Sequence, residues 1–265
     1  MKKLALTFLC FIVSFPILKA QDYAINQLEN SPRHHEWVGI ESNGRTLQNF
    51  VAYPEVESKA PVVIVIHENR GLNDWARSFT DQLAGQGFIA IAPDLLTDKE
   101  GKKTSDFATS DAARSAIYRL NADDVTNDLT RVLEYAKSIE AGNGKVAVVG
   151  FCWGGSQSFR FATNAGNSID ATIVFYGTGP REAAEYARIE APVYGFYGGA
   201  DNRVNATIPN SEESMKAADK QYEYEIYEGA GHAFMRRGDD PNEQGPNKTA
   251  RNAAWKQIKE ILSKL

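Results

Sequence analysis

The sequence predicts an α/β fold with a mainly parallel central sheet and helices on both faces. Three observations carry this. Short apolar runs rich in β-branched residues recur along the chain. They alternate with segments of helical periodicity. Val62 to Ile66 is five consecutive β-branched apolar residues, the pattern of a strand buried on both faces. Two strands in a hairpin followed by alternating strands and helices form such a sheet.

The elements follow in order. Met1 to Ala20 carries a basic start at Lys2 and Lys3, an apolar run from Leu4 to Leu18, and a small residue before polar Gln21 and Asp22. That order predicts a secretory signal peptide over residues 1–20 and an exported, periplasmic or secreted, protein whose single domain spans 21–265. Its apolar run is shorter than the roughly 20 residues of a spanning helix. Gln21 to Pro32 reads as a polar, mobile lead-in. His35 to Ile40 and Thr46 to Tyr53 read as strands about an Asn43-Gly44 turn. Asp74 to Gln86 is predicted as a helix, with Trp75, Phe79 and Leu83 on one face, and Phe88 to Ala92 as the next strand. Asp98 to Asp111 is charged and aperiodic and reads as an insertion or lid. Ala122 to Ser138 is a helix with Val125, Leu129, Val132, Leu133 and Ala136 inward. Val146 to Val149 is a strand and Gly154 to Asn164 a helix. Strands follow at Ala171–Phe175, Val193–Tyr197 and Tyr222–Tyr227, with helices at Pro209–Asp219 and Lys248–Leu265.

Charge and cysteine count narrow the function. The net charge is −5, and losing Lys2, Lys3 and Lys19 with residues 1–20 makes it −8. Such a chain has no electrostatic footprint for nucleic acid, and no membrane association is expected beyond signal-directed export. Of the two cysteines, Cys10 would leave with the signal. Cys152 is then a free thiol without a disulfide partner. No His/Cys cluster has metal-ligand spacing, so no metal or cofactor is expected.

The chemistry-bearing residues sit just after predicted strands, where ligands bind in such sheets. Gly150-Phe151-Cys152-Trp153-Gly154-Gly155 is a nucleophile-elbow pattern with cysteine in the serine position, between a strand and a helix. Taken alone it also fits a buried structural cysteine in a glycine-rich turn. A thiol is only a few per cent ionised at pH 7, so a neighbouring histidine and the start of the following helix are expected to lower its pKa. His232, on Gly229-Ala230-Gly231-His232 after the last strand, is the candidate base. His34 and His35 are expected to face solvent, and His67 to make a structural hydrogen bond. Asp201, in Gly198-Gly199-Ala200-Asp201, is the candidate acid, although an Asp after two glycines also caps turns. Nucleophile, acid and histidine follow in the order of an α/β-hydrolase. The oxyanion hole would combine the backbone N–H of Trp153 with one from His67-Glu68-Asn69-Arg70-Gly71, that of Asn69.

Together His67-Glu68-Asn69-Arg70-Gly71, Ala92-Pro93-Asp94-Leu95, the cysteine elbow, Tyr197-Gly198-Gly199-Ala200-Asp201 and Gly231-His232-Ala233-Phe234 resemble the dienelactone hydrolase (carboxymethylenebutenolidase) family, from about Val62 to about Arg236. The resemblance implies an α/β-hydrolase fold and a Cys152–His232–Asp201 triad acting on a small ester or lactone. It implies that Glu68 contacts the resting thiol and swings away when substrate binds, and that Arg236 binds a substrate carboxylate. One departure stands out. Family members that cleave dienelactone carry a second carboxylate-binding arginine shortly after the Pro-Asp-Leu strand end, where this chain reads Leu96-Thr97-Asp98-Lys99-Glu100, leaving Lys99 or Arg70 as substitutes. A general carboxylesterase for uncharged esters and a non-catalytic small-ligand-binding protein on the same fold are the alternatives.

Overall fold

A computed structural model describes residues 22–265; the signal-peptide expectation for residues 1–20 falls outside them. The described chain builds one eight-stranded sheet of order β1-β2-β4-β3-β5-β6-β7-β8. The strands are β1 (His35–Ser42), β2 (Arg45–Ala52), β3 (Ala60–Ile66), β4 (Ile89–Pro93), β5 (Gly142–Phe151), β6 (Ala171–Phe175), β7 (Val193–Gly198) and β8 (Tyr222–Tyr227). β2 runs antiparallel to both β1 and β4; every other pairing is parallel.

The β-branched run of β3 is wholly buried between two apolar layers, as its composition requires. α2 (Asp74–Ala84) covers one face with Trp75, Phe79 and Leu83, joined there by α10 (Pro246–Leu262). α4 (Ala122–Ser138) and α5 (Trp153–Ala165) cover the other. Side-chain caps fix the helix starts: Asn73 accepts from the Ala76 N–H and Asn121 from those of Asp123 and Asp124. The hairpin is locked to α4 by buried Asp128, which accepts from Arg45 Nη2 at 2.6 Å, Ser42 Oγ at 2.6 Å and Asn43 Nδ2 at 2.8 Å. Among the described residues no helix is long and apolar enough to cross a membrane.

Two segments differ from the sequence reading. Asp22–Glu29 is a helix, α1, within the stretch expected to be mobile. Ala24 is fully buried, Tyr23 and Leu28 pack on the core, and Tyr23 Oη donates to the Arg236 carbonyl at 3.1 Å. A few apolar contacts on one face order a segment whose composition is otherwise polar. The aperiodic stretch after β4 contains a 3-10 turn at Thr104–Asp106 and leads into α3 (Ser110–Ile117), capped by Thr109 Oγ1. Ala113 and Ile117, one turn apart, are its only buried residues, too short a stripe to stand out as periodicity. Four further α-helices are α6 (Ala183–Tyr186), α7 (Asn202–Asn205), α8 (Ile208–Ala217) and α9 (Phe234–Arg237).

The connection leaving β3 leads to β4 on one side, whereas that leaving β5 leads to β6 on the other. The carboxyl ends of β3 and β5 therefore flank a topological switch point, where open α/β sheets bind ligands.

Candidate active site

Cys152 occupies the turn from β5 into α5 at φ 56° and ψ −115°. Its N–H donates to the Phe175 carbonyl at 3.0 Å and its carbonyl accepts from the Ser156 N–H at 3.1 Å. The flanking glycines exist because backbones meet here: a Cβ on Gly150 would lie 2.0 Å from the Gly154 carbonyl oxygen, and one on Gly154 2.3 Å from that of His67. No side chain fits at either position. The tight turn lifts Cys152 out of the strand beside the loop that follows β3.

Asp201 and His232 come together because their loops are hydrogen-bonded, Ala200 N–H donating to the Ala230 carbonyl at 2.9 Å. A Cβ on Gly198 would lie 2.6 Å from that same Ala230 oxygen. His232 Nδ1–H donates to Asp201 Oδ2 at 2.5 Å, with Asp201 buried and His232 half-buried. That bond fixes the tautomer and leaves Nε2 as the basic nitrogen.

Glu68, which opens the turn after β3 with its carbonyl accepting from the Gly71 N–H, is buried. Arg236 Nε donates to its Oε2 at 2.7 Å and Tyr176 Oη to its Oε1 at 3.4 Å. The Glu68 carboxylate holds the Arg236 guanidinium firmly protonated. In the resting arrangement, therefore, the Arg236 side chain is committed to Glu68.

The thiol does not show the lowered pKa expected from the sequence. Burial and the neighbouring Glu68 charge push Cys152 up to about 11, against the downward pull of the Trp153 N–H, the Arg203 charge and the Asn69 N–H. Desolvation outweighs the local dipoles because the sulfur is largely removed from water before any substrate is present. Those same two N–H groups, of Trp153 and Asn69, converge on the sulfur, so they are placed to bind a negative charge developing beside it.

Other expected positions resolve plainly. His67 is fully buried; its Nδ1–H donates to the Glu68 carbonyl at 2.8 Å and its ring stacks on Trp153 at 5.7 Å. His35 does not face solvent: half-buried, it lies 2.7 Å from Asp81 Oδ1. Arg70 donates to Ser110 Oγ at 2.7 Å on α3. Lys99 is exposed beside Leu96, Lys102 and Leu120. Neither is among the charges acting on the thiol.

Three site residues escaped the sequence reading. Tyr176 is fully buried, has φ 39°, and sets its ring edge-on to His232 at 5.0 Å while its hydroxyl reaches Glu68. A tyrosine in left-handed backbone is strained. Cys152 and Ala233 (φ 61°) share that conformation, so strain collects at the carboxyl end of the sheet. Arg203, exposed on α7 two residues after Asp201, supplies the positive charge felt by the thiol. Tyr118 Oη accepts from Asn69 Nδ2 at 3.0 Å and ties α3 to the loop after β3. Tyr176 follows β6 at its carboxyl end, which was the available signal; nothing in the local sequence marks the other two.

The model of the dienelactone hydrolase family matches residues 47–265. The chain belongs to the dienelactone hydrolase family. It is similar to a Pseudomonas putida carboxymethylenebutenolidase, 30% identical across 76% of this chain and 86% of the relative. A Saccharolobus solfataricus protein provisionally given the same name is 29% identical across 85% of this chain and 96% of its own length. Among solved structures, a provisionally titled dienelactone hydrolase of Klebsiella pneumoniae superposes with a TM-score of 0.75 at 22% identity, covering 88% of this chain and 99% of that one. This last likeness concerns the fold, which is that of an α/β-hydrolase. The protein is thus a dienelactone hydrolase-like hydrolase.

Proposed function

We propose that the protein hydrolyses small esters or lactones by acyl transfer to Cys152. The observation carrying this reading is the His232–Asp201 pair, bonded at 2.5 Å on loops beside a cysteine elbow. Substrate enters at the switch point between β3 and β5. Glu68 moves off the thiol, the Cys152 proton passes to His232 Nε2, and Asp201 stabilises the resulting imidazolium. The thiolate attacks the carbonyl carbon, and the Trp153 and Asn69 N–H groups receive the oxyanion. The alkoxide leaves with the proton from His232. Water, deprotonated by His232, then cleaves the thioester and frees the acid and Cys152.

Keeping the resting thiol neutral has a physical use. With a pKa of about 11, only about one thiol in ten thousand is ionised at pH 7. Oxidation follows thiolate character, so the resting enzyme resists it. That suits the export we propose from residues 1–20, which N-terminal sequencing of protein recovered outside the cytoplasm would test.

Arg236 would bind a substrate carboxylate only once Glu68 releases it, while Arg70 is bonded to Ser110 and Lys99 is exposed. A small ester or lactone whose carboxylate, if it has one, meets Arg236 is therefore the substrate we propose. The test is hydrolysis of p-nitrophenyl acetate and of a dienelactone by wild type and Cys152→Ala. Turnover by the wild type alone supports the mechanism. Equal turnover by both refutes it, and binding without turnover points to a ligand-binding protein.

A further inference from the structure

Away from the strand carboxyl ends lies a cavity of about 770 Å³ lined by none of Cys152, Asp201 or His232. It lies between the C-terminal end of α2 and one face of α10, with Gln27 of α1 at its edge. Because α2 runs back against the parallel strands it connects, this groove sits at the opposite end of the sheet from the thiol. Its volume falls within the range of small-molecule sites, roughly 300–1,000 Å³.

The lining is built around fixed cations. Arg33 presents its guanidinium there, held by a two-pronged ion pair to fully buried Asp81, with Nε at 2.7 Å from Oδ1. Arg251 is held by a single contact, its Nη2 reaching both Asp239 Oδ1 and the Gln82 side-chain oxygen. Each pair leaves guanidinium N–H groups unused, since Arg33 Nη1 makes no hydrogen bond among the described residues. Lys256 and Lys259 stand one turn-edge apart on α10, both exposed and without an ion-pair partner among the described residues. Glu260 is the only carboxylate in the lining itself. The Trp255 indole lines the groove, stacked on Phe79 at 4.9 Å with an interplanar angle of 28°, and the Arg251 guanidinium lies over its ring at 5.9 Å from the centroid, leaving the ring edge toward the groove.

We propose that this groove is a binding site for a small organic anion with a flat apolar body, an aromatic or conjugated carboxylate. The charge argues for the anion. Four cations face one lining acid, and even with Asp81 and Asp239 counted the balance stays positive in a chain whose net charge is −5. Held guanidinium groups lose little entropy on binding a carboxylate. The pinned indole argues for the flat body, because an aromatic edge already immobilised need not be ordered by the ligand and packs against the face of a flat ring. Nothing in this proposal depends on Cys152 chemistry.

The test is isothermal titration of Cys152→Ala protein at low ionic strength with phthalate, benzamide and sulfate. Using this variant removes any turnover, so failure of the hydrolase mechanism leaves the result interpretable. Phthalate should saturate, with benzamide and sulfate at least tenfold weaker. Adding Lys256→Glu and Lys259→Glu, both at exposed positions, should weaken phthalate at least tenfold while the circular dichroism spectrum is retained. Absence of saturation by about 10 mM phthalate overturns the proposal. So does phthalate affinity indifferent to the two lysine changes, or sulfate binding as tightly as phthalate.

Discussion

Replacing Glu68 by Gln should make the resting thiol more acidic. Cys152 stands at about 11, against its ordinary 9.0, with burial the largest cause and the Glu68 charge the second. At pH 7 ionisation therefore costs on the order of 5 kcal/mol. Gln keeps the shape of Glu68, its one carbonyl oxygen accepting from Arg236 and its amide N–H able to donate to the Tyr176 hydroxyl, so burial barely changes while one negative charge beside the sulfur is lost. Arg236, now without a counter-charge, acts in the same direction. The expected drop is of the order of one pKa unit, or about tenfold more thiolate at neutral pH. The assay is the rate of iodoacetamide alkylation of Cys152 against pH. A profile displaced to lower pH, with about tenfold faster alkylation near pH 7, is the predicted result. An unmoved or upward-displaced profile would refute the idea that Glu68 holds the thiol neutral.

Further outcomes follow from the same geometry. The folded thiol titrates above its unfolded value, so the folded state keeps a proton that the unfolded state loses. Stability should therefore fall as pH rises from about 9 to about 11, by roughly 2 kcal/mol, and thermal melts of wild type against Cys152→Ala should diverge only in that window. Asp201→Asn should lower kcat by about a thousandfold or more with little change in fold, because it loses the anchor that sets the His232 tautomer; near-wild-type kcat would remove Asp201 from the mechanism. Asp128→Ala strands Arg45, whose side chain is only 10% exposed, and should cost about 3–5 kcal/mol in urea denaturation, whereas a loss under about 1 kcal/mol would show the pair to be peripheral. Gly154→Ala places a Cβ 2.3 Å from the His67 carbonyl oxygen and should yield insoluble protein or one without measurable turnover; a stable, active variant would mean that the elbow relaxes.

Much of this was legible in the sequence for identifiable reasons. The β3 run Val62–Ile66 read as a doubly buried strand, and Ala122–Ser138 carried an unbroken apolar stripe. The elbow announced itself because a cysteine turn this tight demands glycine on both sides. The misses have a common cause. α1 and α3 each bury one or two side chains per turn against surfaces made by distant parts of the chain, so their helicity is a property of the packed molecule. The pKa of Cys152 depends on its burial and on where the Glu68 carboxylate ends up, neither of which spacing reveals. Tyr176 is strained and central, yet it reads as an ordinary residue after a strand. Arg236 was legible as a cation four residues past His232, but its commitment to Glu68 was not.

The central claim is that the acyl group passes through sulfur. Its most direct test is intact-mass analysis, with peptide mapping, of wild-type protein mixed with p-nitrophenyl acetate and quenched in acid within the first turnover. The account predicts one acetyl group on Cys152, absent from Cys152→Ala and accumulating in His232→Ala if that variant acylates at all. Catalytic turnover by Cys152→Ala at the wild-type rate, with no acetyl group on Cys152 in the wild type, would contradict it.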